Sequence, residues 1–229
     1  MLRRIWRKFV GISNPFDYYF FNAVKSFIDQ SGPGQVAVDV GCGNSPVKKY
    51  FRHGTVLSMD IRKGPEVDLI SDACEMALKD CSCDLVILTE VLEHVKDPGK
   101  CLKETYRGLK EKGNIILSVP FLWGIHDEPD RNRWTETGIR ELLAVSGFKV
   151  KGLDYKGGCF TAVFLLWKNM PLSILGGNKR SKTAVMLFPF IVLHYIAAVV
   201  ICPLAIILDK IFTSKTYTAG YVILAEKDR

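Results

Sequence analysis

The sequence predicts an α/β fold, a doubly wound and mainly parallel sheet with helices between its strands. Three observations carry this expectation. Apolar runs of strand length alternate with helically periodic segments from Val36 to Val150, the pattern of repeated βαβ units. The first run, Val36 to Val40, ends in Gly41-Cys42-Gly43, a pair of glycines that lets the chain turn sharply and lets a ligand press on bare backbone. The next run ends in Asp60, about twenty residues past the first glycine, where such sheets place a carboxylate on ribose hydroxyls.

Taken in order, Met1 to Ile12 reads as a short basic amphipathic helix. Leu2, Ile5, Trp6, Phe9 and Val10 form one face; Arg3, Arg4, Arg7 and Lys8 fill the other, a composition suited to an anionic membrane surface or to packing on the domain. Asn14-Pro15 caps a helix with Phe16, Tyr19, Phe20, Ala23, Val24, Phe27 and Ile28 on one stripe and Gly32 beyond its end. Ser45-Pro46 is a second helix start, leading into a short helix over Val47 to Phe51.

Thr55 to Met59, Val67 to Ile70 and Cys83 to Leu88 read as the second, third and fourth strands. Asp97-Pro98 opens a helix through Leu102, Tyr106 and Leu109 to Gly113; Asn114 to Val119 is the fifth strand, closed by Pro120. Thr135 caps a helix through Ile139, Leu142, Leu143 and Val145 to Gly147, and Phe148 to Leu153 is the sixth strand. Strand and helix thus alternate five times. A last strand, Thr218 to Ala225, stands near the end of the chain.

At 229 residues the chain fits one embellished domain, and its 48% hydrophobic content can fill a core. Its net charge of +7 suits anionic lipid or nucleic acid. Its seven cysteines include no Cys-x-x-Cys, so neither a disulfide framework nor a metal site is expected, and reduced thiols in a cytosolic setting are. There is no Ser/His/Asp set and no apolar leader with a cleavage site.

The dinucleotide fingerprint fails, because Pro46 stands where its third glycine would be. What remains, Asp39-Val40-Gly41-Cys42-Gly43, resembles the first motif of class I S-adenosylmethionine-dependent methyltransferases. Thr89-Glu90-Val91-Leu92-Glu93-His94-Val95 is similar to the stretch after the fourth strand in small-molecule members of that class, the ubiquinone-biosynthesis-like type 11 family. The resemblance covers Val36 to Val150. It implies a Rossmann-like sheet of seven strands, the last antiparallel, and S-adenosyl-L-methionine as cofactor.

Its implied cofactor-binding residues are Asp39, Gly41, Cys42, Gly43 and Asn44, then Asp60 and Ile61, Asp72 and Ala73, and Thr89 and Glu90. The Asp39 carboxylate suits an ammonium group. Asp72 is placed on the adenine amino group, or as a helix N-cap, or both. Phe121 to Trp134 is long for an α/β loop and follows a strand's carboxyl end, where open sheets bind ligands. If the acceptor is a hydroxyl, His126 and His94 are candidate general bases, with Asp127 as an orienting partner. Methyl transfer by direct displacement needs no metal, and none is expected.

The family pattern is interrupted between the sixth and seventh strands. Ala184 to Leu208 carries no charge and is long enough to cross a bilayer. Pro189 and Pro203 divide it, however, leaving a central piece of about thirteen residues, too short for the hydrocarbon core. Two strands of one sheet also require the chain to return to the side it left. An in-plane or re-entrant insert is therefore expected, against a helical subdomain buried on the domain or in a homodimer.

The expected organisation is residues 1–32 as amphipathic and covering helices and 33–157 as the catalytic core. A hydrophobic helical insert takes residues 158–215, and 216–229 complete the sheet. The functional expectation is a methyltransferase on the cytoplasmic face of a membrane, acting on a lipidic, quinone-like or lipid-linked glycan acceptor. The alternatives are a nucleic-acid methyltransferase, disfavoured because no base-flipping Asn/Asp-Pro-Pro-Tyr tetrapeptide is present, and a catalytically silent membrane scaffold.

Overall fold

The computed structural model describes residues 14–32, 34–43, 47–51, 54–174 and 182–228. The Met1–Ile12 segment, the Asn44–Pro46 helix start and most of the polar 176–182 linker lie outside them. The described strands form one sheet: β1 (Gln35–Val40), β2 (Gly54–Asp60), β3 (Leu69–Ile70), β4 (Cys83–Thr89), β5 (Leu109–Pro120), β6 (Phe148–Tyr155) and β7 (Gly220–Lys227), in the order β3-β2-β1-β4-β5-β7-β6. β1 pairs in parallel with β2 and β4, and β4 with β5; β7 runs antiparallel to β5. The expected seven-stranded Rossmann-like sheet with an antiparallel last strand is what forms.

The central strands are buried because they are apolar on both faces. Leu85, Val86, Ile87 and Leu88 of β4, Ile115 to Leu117 of β5 and Val222 to Ile223 of β7 are all buried. Strand order reverses at β1 and β4, the position where open parallel sheets leave a crevice at their carboxyl ends. Helix α1 (Pro15–Gln30) buries Phe20, Ala23, Val24, Phe27 and Ile28, the expected stripe.

Helix α2 (Pro98–Gly108) starts as its sequence dictates. The Asp97 carboxylate accepts the Lys100 N–H at 2.9 Å and Pro98 opens the first turn. Helix α3 (Glu136–Val145) is capped by Thr135, which accepts the Gly138 N–H at 3.2 Å.

Two expectations about these links are corrected. Helix α2 ends at Gly108, not Gly113: Leu109 is extended and pairs with Cys83. The register then jumps to Leu85 opposite Asn114, so Lys110 to Gly113 bulge out, with Lys112 at φ +58°. Burial of Leu109 at the strand start wins over its helical spacing.

Strand and helix also do not alternate five times. The β1–β2 link holds only a 3-10 turn, Val47–Tyr50. The segments 61–68 and 71–82 hold no helix; Gly64 and Pro65 break the first. In the second the Asp72 carboxylate accepts the Cys74 N–H at 2.7 Å in a tight turn, so Asp72 caps no helix. The described cysteines are free; Cys42, Cys83, Cys101 and Cys202 are buried, while Cys81 is exposed.

Contacts divide the chain into two compact units. The sheet unit comprises residues 21–121, 125–154 and 220–229. The helical unit draws on residues up to Phe20, on Leu122–Gly124 and on Tyr155–Ala219. Its body is a hairpin of α4 (Cys159–Ile174) and α5 (Lys182–Ile211). The rings of Phe160 and Phe212 lie 5.8 Å apart and those of Trp167 and His194 4.1 Å apart, so the helices run antiparallel. Phe164 and Leu165 pack with Ala198, Cys202 and Ala205.

The Asp209 carboxylate closes the hairpin. It accepts the N–H groups of Gly158 at 2.8 Å, Phe160 at 3.0 Å and Thr161 at 3.2 Å, satisfying the open amides at the start of α4.

The expectation that Pro189 and Pro203 break the apolar stretch is corrected. Both lie inside the continuous α5. Each proline removes one helical hydrogen bond, but the row of buried Tyr195, Ala198, Cys202, Ala205 and Asp209 holds the helix together on either side of Pro203. Its opposite face is exposed and apolar, with Phe190, Leu193, Val200, Leu204, Ile207 and Ile211.

Candidate active site

The carboxyl end of β1 is organised by glycine and carboxylate geometry. Gly41 and Gly43 adopt φ +68° and +50°, values that cost an L side chain free energy. Both the Gly41 and Cys42 amides bond to Met59 O, at 2.7 and 3.0 Å, so the turn folds back over β2. A β-carbon on Gly41 would overlap the Val91 side chain, whereas one on Gly43 would meet nothing within 4 Å among the described residues. Of the two, the glycine with space beside it among the described residues is therefore Gly43, and Gly41 is required by Val91.

Two carboxylates stand beneath this turn. Asp60 Oδ2 accepts the Gly43 N–H at 2.9 Å and Oδ1 accepts the Arg62 N–H at 2.8 Å, which fixes the carboxylate while leaving a second lone pair on each oxygen. Asp39 is 1% exposed and its Oδ2 has no hydrogen-bond partner among the described residues. Burial pushes the Asp39 carboxyl up to about 7, opposed by Lys48 and reinforced by Asp60. A buried carboxylate oxygen without a donor fits a ligand that brings its own cation or N–H groups.

The remaining residues expected to bind cofactor are distributed unevenly. Cys42 is buried, and Ile61 is 63% exposed after β2. Asp72 is exposed and Ala73 half-buried in their tight turn. Thr89 ends β4, and Glu90, at φ +54°, accepts the Ser118 hydroxyl at 2.6 Å. Asn44 lies outside the described residues.

The chain brings His94 and His126 together, their ring centroids 5.2 Å apart. Between them lies Glu93, whose side chain is fully buried. Glu93 Oε1 is 3.7 Å from His94 Nε2 and 4.0 Å from His126 Nε2. The Glu93 carbonyl accepts the Arg131 N–H at 2.8 Å and the Asn132 N–H at 3.2 Å, tying the 121–134 loop to the segment after β4.

Each imidazole is held from behind by its Nδ1. His94 Nδ1 lies 2.9 Å from Pro129 O, and His126 Nδ1 lies 3.2 Å from Asp130 Oδ2. Carbonyl and carboxylate oxygens only accept, so both Nδ1 atoms carry the proton. Both Nε2 atoms then turn toward Glu93 Oε1.

The expected partner of His126, Asp127, is corrected by the geometry. Asp127 is exposed at φ +43°, a turn position, and it is Asp130 that meets the ring. The Asp130 side chain is 1% exposed and its carboxylate is gripped at both oxygens by the Arg133 guanidinium. That hydrogen-bonded pairing holds the Asp130 carboxyl well below the usual carboxylate range. Residue spacing offered little signal for Asp130 and Arg133, since the loop is irregular; Glu93 was visible only as part of a motif.

Residues 38–117 match the family described as a methyltransferase domain. An uncharacterized 37.1 kDa protein in transposon TN4556 of Streptomyces fradiae is 28% identical over 106 residues, covering 38% of this chain and 31% of that protein. The match thus spans about a third of that curated relative's length.

Among solved structures, the Burkholderia thailandensis 1,6-didemethyltoxoflavin-N1-methyltransferase, with 1,6-didemethyltoxoflavin and S-adenosylhomocysteine bound, superposes with TM-score 0.57 at 16% identity. That superposition covers 91% of this chain and 77% of that one. The Haemonchus contortus phosphoethanolamine N-methyltransferase 2, in complex with S-adenosyl-L-methionine, gives 0.56 at 18%, over 94% and 56%. The [4+2]-cyclase SpnF gives 0.57 at 15%, over 89% and 81%. At these identities the likeness is one of fold.

Proposed function

We infer, from the match of residues 38–117 to a methyltransferase domain and from the seven-stranded fold, that the protein binds S-adenosyl-L-methionine over β1 and β2 and methylates an acceptor presented at a membrane surface. The observation that carries the cofactor reading is the buried Asp39 oxygen without a donor among the described residues, beside the space at Gly43. There the cofactor's ammonium would supply the missing positive charge. Asp60, already aimed by the Gly43 and Arg62 amides, has lone pairs left for the ribose hydroxyls.

When bound, the cofactor would supply an electrophilic methyl carbon on a sulfonium. The chain's own groups must hold the acceptor in line, exclude water and take its proton. His126 is the favoured proton acceptor, with its Nε2 on the Glu93 side and Asp130 holding the ring from behind Nδ1. His94 is the second candidate. Glu93 lies fully buried beside both rings.

The membrane reading rests on α5. Pro189–Ile211 is a 23-residue segment of mean hydropathy 2.7, and its outer face is a row of exposed large apolar side chains. Soluble monomers rarely expose a contiguous patch of this kind. At 1.5 Å per residue it would reach roughly 35 Å, enough to cross. α4, at 16 residues, reaches only roughly 24 Å, and β6 and β7 share one sheet. A single crossing is incompatible with that sheet, so the hairpin is read as lying in the interface plane on the cytoplasmic side.

The test is direct. Purified protein, methyl-labelled S-adenosylmethionine and whole-cell lipid and glycan extracts should yield label in the lipid or lipid-linked fraction. Label confined to nucleic acid, or cofactor binding with no transfer to any extract, would overturn the acceptor assignment. Failure to bind cofactor would overturn the activity itself.

A further inference from the structure

The cluster of Glu93, His94 and His126 raises a question that acid–base chemistry leaves open. One carboxylate oxygen and two imidazole nitrogens lie within 4.8 Å of one another. His94 Nδ1 faces Pro129 O and His126 Nδ1 faces the Asp130 carboxylate, so Nε2 is the nitrogen that each ring turns toward Glu93. At 3.7 and 4.0 Å the two Nε2–Oε1 separations are too long for hydrogen bonds.

We propose that Glu93, His94 and His126 bind a divalent first-row transition cation. Donors about 2.1 Å from one such ion stand on the order of 3.0 to 4.2 Å apart for angles between 90° and 180°, and both carboxylate–imidazole separations fall in that window. Two imidazoles with one carboxylate suit borderline ions such as Zn²⁺, Fe²⁺ or Co²⁺ over Mg²⁺ and Ca²⁺, which prefer all-oxygen sites.

The supporting shell has the form metal sites use. Each ligating ring donates its other N–H to a carbonyl or carboxylate, which fixes its orientation and raises its basicity. Asp130 is in turn locked by Arg133. The three ligands leave coordination positions open, and the His94 and His126 side chains are 23% and 27% exposed, so an exchangeable oxygen can reach the ion.

Sequence spacing conceals the site. Glu93 and His94 follow β4, whereas His126 comes 32 positions after His94, from the loop after β5. The pairing of β4 with β5 and the bonds from Arg131 and Asn132 to Glu93 O bring them together.

The ion also deepens the proposed function, and in this clause rests on it. An acceptor hydroxyl on an open position would lose its proton to solvent more readily, because the cation lowers its pKa. With the ion bound, the Nε2 atoms would serve as ligands, and this route would replace the His126 base of the metal-free reading.

Untagged full-length protein, stripped with chelator and kept in mild detergent, is titrated with Co²⁺ and read by visible absorption and by bound-metal analysis. About one equivalent is expected, displaced by Zn²⁺ and not by Mg²⁺. Glu93→Gln and His126→Asn should each abolish stoichiometric binding, and Asp130→Asn should weaken it about 10- to 100-fold, as loss of a supporting hydrogen bond does elsewhere. Should Glu93→Gln fail to fold, His94→Gln carries the same test.

No stoichiometric Co²⁺ binding by the wild type, or unchanged binding in the folded variants, overturns the site. Cofactor titration of the same samples is read separately. Metal binding without cofactor binding defeats the methyltransferase reading alone; cofactor binding and metal-independent turnover without Co²⁺ binding defeat the metal site alone.

Discussion

Gly41 and Val91 are in contact across the mouth of the sheet: a β-carbon on Gly41 would overlap the Val91 Cγ2 methyl. The glycine turn after β1 and the Glu90–His94 stretch after β4 are therefore one packed unit. Gly41→Ala should destabilise the protein by about 1–2 kcal/mol from its backbone conformation alone, and by more from the overlap. Val91→Ala in the same chain should recover the overlap and leave the backbone cost. Thermal melts of the two variants check this; a wild-type melting temperature for Gly41→Ala would refute it.

Asp39 should make cofactor binding and stability depend on pH in a definite direction. The folded chain keeps the Asp39 proton up to about pH 7, against 3.8 for an ordinary carboxyl. Between roughly pH 4 and 7 the unfolded chain binds fewer protons there than the folded one, so this group's contribution to apoprotein stability falls as pH rises and levels off above 7. A cofactor ammonium favours the ionised form, so binding should release a proton and tighten as pH rises through this range. Calorimetry in buffers of different ionisation enthalpy would detect the proton, and Asp39→Asn should remove it.

Asp60 fixes the turn and is also assigned to the ribose. Asp60→Ala should weaken S-adenosylmethionine binding by about 1.5–3 kcal/mol, the range for hydrogen bonds to a charged group. It should also lower the melting temperature, because the Gly43 and Arg62 amides lose their acceptor. Titration calorimetry showing unchanged affinity in a folded Asp60→Ala protein would remove Asp60 from the site.

Asp130 and Arg133 should act on His126 through orientation. Breaking a buried pair by removing one partner costs about 3–5 kcal/mol, and with the Arg133 side chain 26% exposed the lower end is expected for Asp130→Ala. Because the folded carboxyl is held low, the pair's stabilisation is present above about pH 4 and is lost as pH falls further. Asp127→Ala, altering an exposed turn residue, should leave both stability and turnover near wild type. A larger loss of turnover in Asp127→Ala than in Asp130→Asn would reverse this assignment.

The hairpin of α4 and α5 should bind anionic liposomes. Flotation of the wild type is expected, and salt sensitivity should fall when Arg3, Arg4, Arg7 and Lys8 are neutralised. Replacing residues 158–215 with a short loop should give a soluble sheet unit that still binds cofactor, since β6 and β7 are neighbours in the sheet. Both helices must go together, because their apolar faces cover each other. A wild-type protein that is monomeric without detergent and ignores liposomes would remove the membrane from the reading.

The sequence by itself determined the sheet's central strands, the glycine turn, the caps at Asp97 and Thr135, and the apolar insert. Each is a local pattern, an apolar period or a turn residue whose consequence does not depend on distant chain. Tertiary structure alone decided the rest. Helix α2 yielded Leu109 to the sheet because burial opposite Cys83 outweighs local helical spacing. α5 continued through Pro203 because a packed face on either side of it outweighs a missing hydrogen bond. The partner of His126 proved to be Asp130 and not its neighbour Asp127, and Glu93 came to stand between two histidines 32 positions apart. Such pairings depend on which loops the sheet brings side by side, a distance in space that spacing along the chain does not encode.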